Sequence, residues 1–111
     1  MEVEVRTLRC GDGVTYPQPG DKLYTHYVGR IASTGEQIDS SYERGLPFRF
    51  QLGVGQVIAG WDEGIRKMSL GEQALLMIPA ERAYGAQGAG GSIPPNTDLI
   101  FEVELLKISA Y

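Results

Sequence analysis

The chain has 111 residues, the length of one domain able to bury a single modest core. Its 42% hydrophobic and 22% charged residues are those of a globular protein rather than a disordered one. The net charge of −4 is carried by scattered groups, with no run of basic residues to form a phosphate-binding face.

No window approaches the ~18 uninterrupted apolar residues that span a bilayer. The opening Met-Glu-Val-Glu-Val-Arg lacks the basic-then-apolar pattern of a secretory leader. Cys10 is the one cysteine, so no internal disulfide forms, which suits a reducing compartment.

In chain order, Val3, Val5 and Thr7 alternate with Glu2, Glu4 and Arg6, the period of a strand with one wet face. Gly11-Asp12-Gly13 ends it, and Tyr16 to Gly20, with two prolines, is a loop. Lys22 to Ile31, rich in Tyr, Thr, Val and Leu, predicts a second strand, and Glu36 to Ser40 a short returning one after the turn at residues 32–35. Ser41 to Pro47 is polar, carries Gly45, and is expected to be a loop or bulge. Phe48, Phe50 and Leu52 alternate with Arg49 and Gln51 as another strand.

Ile58, Trp61, Ile65 and Met68 are spaced 3, 4 and 3, the stripe of an amphipathic helix. Asp62 with Arg66 and Glu63 with Lys67 stand at i,i+4 and are expected to pair on its wet face. Gly60 and Gly64 each weaken this helix by roughly 1 kcal/mol relative to Ala, so it needs the sheet to exist. Gln73 to Ile78 reads as a central strand and Leu99 to Ile108 as the last one. Between them, Glu81 to Asn96 carries four glycines and two prolines, and a loop this long in a compact domain is usually functional. The expected architecture is α+β: one antiparallel sheet with a single helix packed on one face.

The chemistry is signalled by aromatic residues. No Gly-x-Ser-x-Gly elbow and no phosphate-loop motif is present. His26, the sole histidine, has no partners at metal-ligand spacing and reads as a structural strand residue. Asp39, Asp62 and Glu63 show no pairing of the kind a glycosidase needs. What remains is Tyr27, Phe48, Phe50, Trp61, Tyr84 and Phe101, most of which would serve a core. Trp61, however, sits at a helix start and Tyr84 in a glycine-rich loop. A loop folded over the helix start would leave an apolar pocket with polar tips.

These residues also carry a resemblance. Gly11-Asp12-Gly13, His26-Tyr27-Val28-Gly29, Asp39-Ser40-Ser41, Pro47-Phe48-Arg49-Phe50, the run from Gly55 to Gly64, Ala83-Tyr84-Gly85, Ile93-Pro94-Pro95-Asn96 and the stretch Leu99 to Lys107 occur in this order over nearly the whole chain. Together they are similar to the FKBP-type peptidyl-prolyl isomerases, which bind macrolide immunosuppressants. The resemblance implies a twisted antiparallel five-stranded sheet wrapped around one short α-helix, in a single domain covering residues 1–111.

It also implies a pocket lined by Tyr27, Ile38, Asp39, Arg44, Phe48, Gln56, Val57, Ile58, Trp61, Tyr84, Ile93 and Phe101. Asp39, Tyr84, Trp61 and Phe101 would be the residues that act on the substrate, and Trp61 the floor. The Ile58 N–H and the Tyr84 hydroxyl would hold carbonyl oxygens, the Gln56 carbonyl would accept a hydrogen bond, and Tyr27 and Arg44 would steady Asp39. Ile38, Ala89 and Ser92 stand where the family carries Phe, a larger side chain, and Ile or Val. All three shrink or polarise the rim, and Ile38 and Ser92 together are expected to weaken macrolide binding by about 1 kcal/mol in total.

The implied function is rotation of Xaa-Pro peptide bonds, without cofactor or metal, in a cytoplasmic monomer that has no nucleic-acid or membrane partner. Tacrolimus and rapamycin are the expected inhibitors, with drug-dependent complexes with calcineurin or the TOR kinase as an extension. A proline-ligand or chaperone module of low turnover, or a carrier of small apolar ligands, would use the same pocket.

Overall fold

The computed structural model describes residues 2–110. Strands β1 (Glu4–Arg9), β2 (Lys22–Ile31), β3 (Gln37–Ser40), β4 (Phe48–Gln51), β5 (Gln73–Ile78) and β6 (Leu99–Ser109) form one antiparallel sheet, joined by helices α1 (Ser41–Arg44) and α2 (Ala59–Ile65). The strand order is β1-β5-β6-β2-β3, and β4 also pairs with β2. β6 runs along β2 from Lys22 to Ile31, whereas β3 pairs with Val28 to Arg30 and β4 with Lys22 to Thr25. A strand has two edges, so β3 and β4 share one of them end to end. The sheet is thus five positions wide, as expected, with its edge strand broken in two by α1.

That break is the first difference from the sequence reading. Residues 41–44 form one helical turn rather than a loop, closed by Gly45 at φ 73°, where its N–H bonds back to Tyr42. Glycine takes this left-handed conformation without a Cβ penalty. Four polar residues are too few to show a helical period.

Burial follows the pleat. Leu23, Thr25, Tyr27 and Ile31 of β2 face inward with Ala74, Leu76 and Ile78 of β5 and Leu99, Phe101, Val103 and Leu105 of β6. α2 lies on this face through Trp61 and Ile65, and Met68 follows them into the core. The helix stops at Ile65, three residues short of the apolar stripe. Lys67 and Met68 donate their N–H groups to Gly64 and Ile65, i to i−3 bonds that tighten the last turn and still turn Met68 inward.

A Cβ at Gly60 would come closer than 3.0 Å to the side chain of Ile78, so the missing side chain lets α2 sit directly on β5. The expected i,i+4 pairs on α2 do not form. Asp62 instead accepts the Gly53 N–H at 2.9 Å, and Glu63 reaches Arg82 at 3.5 Å. Seven residues of helix leave these carboxylates nearer to neighbouring loops than to Arg66 and Lys67.

Segment 81–96 is internally bonded. Ala80–Arg82 form a 3-10 turn. Gly85 and Asn96 are joined by a 2.8 Å backbone bond, and Ala89 and Ile93 exchange backbone bonds of 2.9 and 3.1 Å. This closes the loop on itself and holds Tyr84 at a fixed place above α2.

Candidate active site

The site is assembled from three parts of the chain around Trp61. The indole is 3% exposed and meets four aromatic rings edge to face. Its centroid lies 4.9 Å from Tyr27, 5.4 Å from Phe101, 5.5 Å from Phe50 and 5.8 Å from Phe48. Such geometry sets the positive edge of one ring on the negative face of the next and holds each ring in place. Phe101 reaches this cluster because Gly29, across the ladder, has no side chain: a Cβ there would lie 2.5 Å from Phe101 Cε1.

Above the indole opens a cavity of about 470 Å³, lined by Tyr27, Asp39, Phe48, Gln56, Val57, Ile58, Trp61, Tyr84 and Phe101. The rings come from β4, β2 and β6, strands that the sheet brings side by side, and from α2 packed on them. Val57 and Ile58 come from the segment entering α2, and Tyr84 from the closed loop. The size is that of a small-ligand site, within the common range of roughly 300–1,000 Å³.

The polar side of the rim is built around Asp39. Tyr27 Oη donates to Asp39 Oδ2 at 2.5 Å, Arg44 Nη1 donates to Oδ1 at 2.7 Å, and the Ser40 N–H donates to Oδ1 at 2.8 Å. Arg44 Nη2 also donates to the Tyr27 hydroxyl at 2.8 Å. Burial opposes the ionised carboxylate, but the bonds from Tyr27 and Arg44 more than offset it and hold Asp39 below the ordinary carboxylate pKa. Burial, reinforced by the bond to Asp39, pushes the Tyr27 phenol above its ordinary value. Both groups therefore keep one protonation state across neutral pH.

On the opposite side, the Ile58 N–H has no acceptor among the described residues, while the Ile58 carbonyl caps α2 by accepting from Trp61 and Asp62. The Gln56 side chain is already engaged: its Oε1 accepts the Gln51 N–H at 2.8 Å.

Three residues expected at the site lie off the cavity wall. Arg44 stands behind Asp39 and Tyr27. Ile38 is half-buried against the core and borders a polar surface recess with Gln37, Ser40 and Glu43. Ile93 is 8% exposed and belongs to the core beneath the loop. In the other direction, Phe50 supports the Trp61 floor from β4. Its alternation with Phe48 in the sequence was the available signal: residues i and i+2 of a strand share a face, and here the two rings stack at 5.6 Å. His26 lies on the outer face, its Nδ1 2.8 Å from Ser41 Oγ and its ring stacked on Tyr42 at 4.4 Å.

Comparison with known proteins adds a second line. Residues 13–106 match the family described as FKBP-type peptidyl-prolyl cis-trans isomerase. The chain is 51% identical to FK506-binding protein 1 of Yarrowia lipolytica over 109 residues, covering 98% of this chain and all of that one. It is 50% identical to FK506-binding protein 1 of Saccharomyces cerevisiae over 107 residues, covering 96% and 93% of the two chains. A protein of Schizosaccharomyces pombe named peptidyl-prolyl cis-trans isomerase is 50% identical over 109 residues, covering 98% and 96%.

Proposed function

The chain belongs to the FKBP-type peptidyl-prolyl cis-trans isomerases, and from that premise we propose that the cavity over Trp61 seats a proline ring while the peptide bond before it turns. The observation that carries this reading is the aromatic floor: Trp61 fixed by Tyr27, Phe48, Phe50 and Phe101 beneath an open apolar recess.

The chemistry needs no bond to the substrate. An amide resists rotation by ~18–20 kcal/mol because its C–N bond has partial double-bond character. Xaa-Pro bonds populate both isomers and exchange unaided in tens to hundreds of seconds. The planar amide is charge-separated, and the twisted transition state has lost much of that resonance. An apolar wall therefore penalises the planar state more than the twisted one. Each ~1.36 kcal/mol of that difference is tenfold in rate.

Trp61, Phe101 and Phe48 supply the apolar wall. The Ile58 N–H and the Tyr84 hydroxyl take the carbonyl oxygens on either side of the turning bond, so binding energy is realised in the twisted geometry. Asp39, held ionised, acts through its field and by positioning the chain rather than by moving a proton.

The relatives' name, FK506-binding protein, supports macrolide binding; we propose that the macrolide takes the same cavity, with tacrolimus and rapamycin as inhibitors. A drug-dependent complex with calcineurin or the TOR kinase would form over the occupied mouth. We further propose a cytoplasmic monomer; with Cys10 as the one cysteine the fold depends on no internal disulfide, which suits a reducing compartment. No helix among the described residues is long and apolar enough to cross a membrane.

Competition tests the assignment. An Xaa-Pro peptide and a macrolide should produce mutually exclusive changes in Trp61 fluorescence, and the macrolide should stop catalysed exchange. Simultaneous binding of both would place the proline elsewhere.

A further inference from the structure

The basic residues are scattered in sequence, but the register of the sheet gathers two of them, Arg49 and Lys107, around one ring beside the proline cavity. Tyr24 on the outer face of β2 is flanked across the ladder by Arg49 of β4 and Lys107 of β6. The Arg49 guanidinium carbon lies 5.9 Å from the Tyr24 ring centroid and Lys107 Nζ lies 5.2 Å from it. One ring thus orders two cations. Among the described residues, neither has a carboxylate within ion-pairing distance. Arg49 and Tyr24 line a groove of about 330 Å³ with Lys22, Phe50, Gln51 and Gln56. Gln56 also borders the cavity over Trp61, so the two depressions meet at one residue.

We propose that this groove binds an acidic side chain of the peptide whose proline occupies the cavity, and so biases the enzyme toward Xaa-Pro sites with a nearby Asp or Glu. The inference rests on the proline-cavity reading above. Two observations favour such a partner: charge complementarity to Arg49 and Lys107, and continuity of the groove with the cavity through Gln56. A peptide extended across Gln56 advances ~3.3–3.6 Å per residue, so the acidic residue falls within a few positions of the proline. The net charge of −4 would by itself repel an acidic peptide. A preference for one must therefore come from this local cluster, whose reach at physiological salt is about 8 Å.

The test is a series of Xaa-Pro peptides carrying Glu or Gln at each position from two to four residues before or after the proline, with kcat/KM for exchange as the readout. At one of these positions Glu should exceed Gln by roughly two- to fivefold, the range of an exposed ion pair. The preference should vanish in the double variant Arg49→Gln, Lys107→Gln and persist in Arg49→Lys, while turnover of the Gln peptide stays unchanged in both. Unaltered thermal melts would show that the variants fold. Equal rates for Glu and Gln at every position, or a preference that survives the double substitution, would overturn the proposal. Failure to turn over even the Gln peptides would instead overturn the isomerase reading of the cavity, and the groove's role with it.

Discussion

The Tyr27 phenol donates a 2.5 Å hydrogen bond to the Asp39 carboxylate, and Arg44 contacts both. This makes the pH response calculable in sign. Asp39 has a folded pKa below its ordinary value, so its contribution to stability is present above the unfolded carboxylate pKa of ~3.9 and is lost as pH falls through the lower folded value. Tyr27 has a raised folded pKa. Its contribution is present below the ordinary phenol pKa of ~10 and is lost as pH rises through the folded value. Neither group titrates near neutrality. Exchange catalysis should be flat between about pH 5 and 9. A bell-shaped profile centred inside that window would assign a proton-transfer step that this rim does not provide.

Replacing Tyr27 by Phe keeps the ring against Trp61 and removes the bond to Asp39. Urea unfolding at pH 7 and at pH 3 should then show a smaller difference between the two conditions than in the parent, because less of the Asp39 ionised form is favoured by folding. The loss at pH 7 should be about 1–3 kcal/mol, the scale of a hydrogen bond to a charged group. An unchanged pH dependence would detach Tyr27 from the carboxylate.

The seat of α2 depends on Gly60. Gly60→Ala should destabilise by about 1–3 kcal/mol, since its Cβ would press on branched Ile78 in a packed interior. Gly64→Ala is the control. Its Cβ would meet Leu76 Cδ2 at 3.1 Å and Val3 Cγ1 at 3.3 Å, the ends of side chains that can yield, and alanine adds up to ~1 kcal/mol of helix propensity. Thermal melts should rank parent and Gly64→Ala together, above Gly60→Ala. The reverse ranking would remove the close-approach explanation.

Trp61→Ala should cost roughly 3–5 kcal/mol of stability and abolish macrolide binding, as a buried floor shared by four rings is lost. Trp61→Phe should keep the fold and retain part of the binding. Isothermal titration separates the two. Full affinity in a folded Trp61→Ala protein would move the ligand off this floor.

Ile38 borders the rim without lining the cavity. Ile38→Phe adds apolar area beside Asp39 and should tighten macrolide binding by about two- to threefold, roughly half of the 1 kcal/mol expected from Ile38 and Ser92 together. Equal affinities would leave Ser92 and Ala89 to account for any deficit.

Much of this was legible in the chain. Period-2 alternation located β1, β4 and β6, β-favouring composition located β2 and β5, and the 3-4-3 spacing located α2. The aromatic surplus at a helix start and in a glycine-rich loop indicated a pocket. What escaped depends on tertiary placement. α1 is four polar residues with no stripe to reveal it. Asp62 and Glu63 took partners from Gly53 and Arg82, which local spacing does not foresee. The gathering of Arg49, Tyr24 and Lys107 exists only through the register of three strands.

Exchange spectroscopy by NMR on an Xaa-Pro peptide, followed while macrolide is added, decides whether the cavity over Trp61 is the isomerase site. Cis/trans cross-peaks should grow with micromolar protein and disappear at one equivalent of macrolide, with the amide signal of Ile58 shifting in step. Exchange that stays at the uncatalysed rate, or that persists when the cavity is saturated with macrolide, would contradict it.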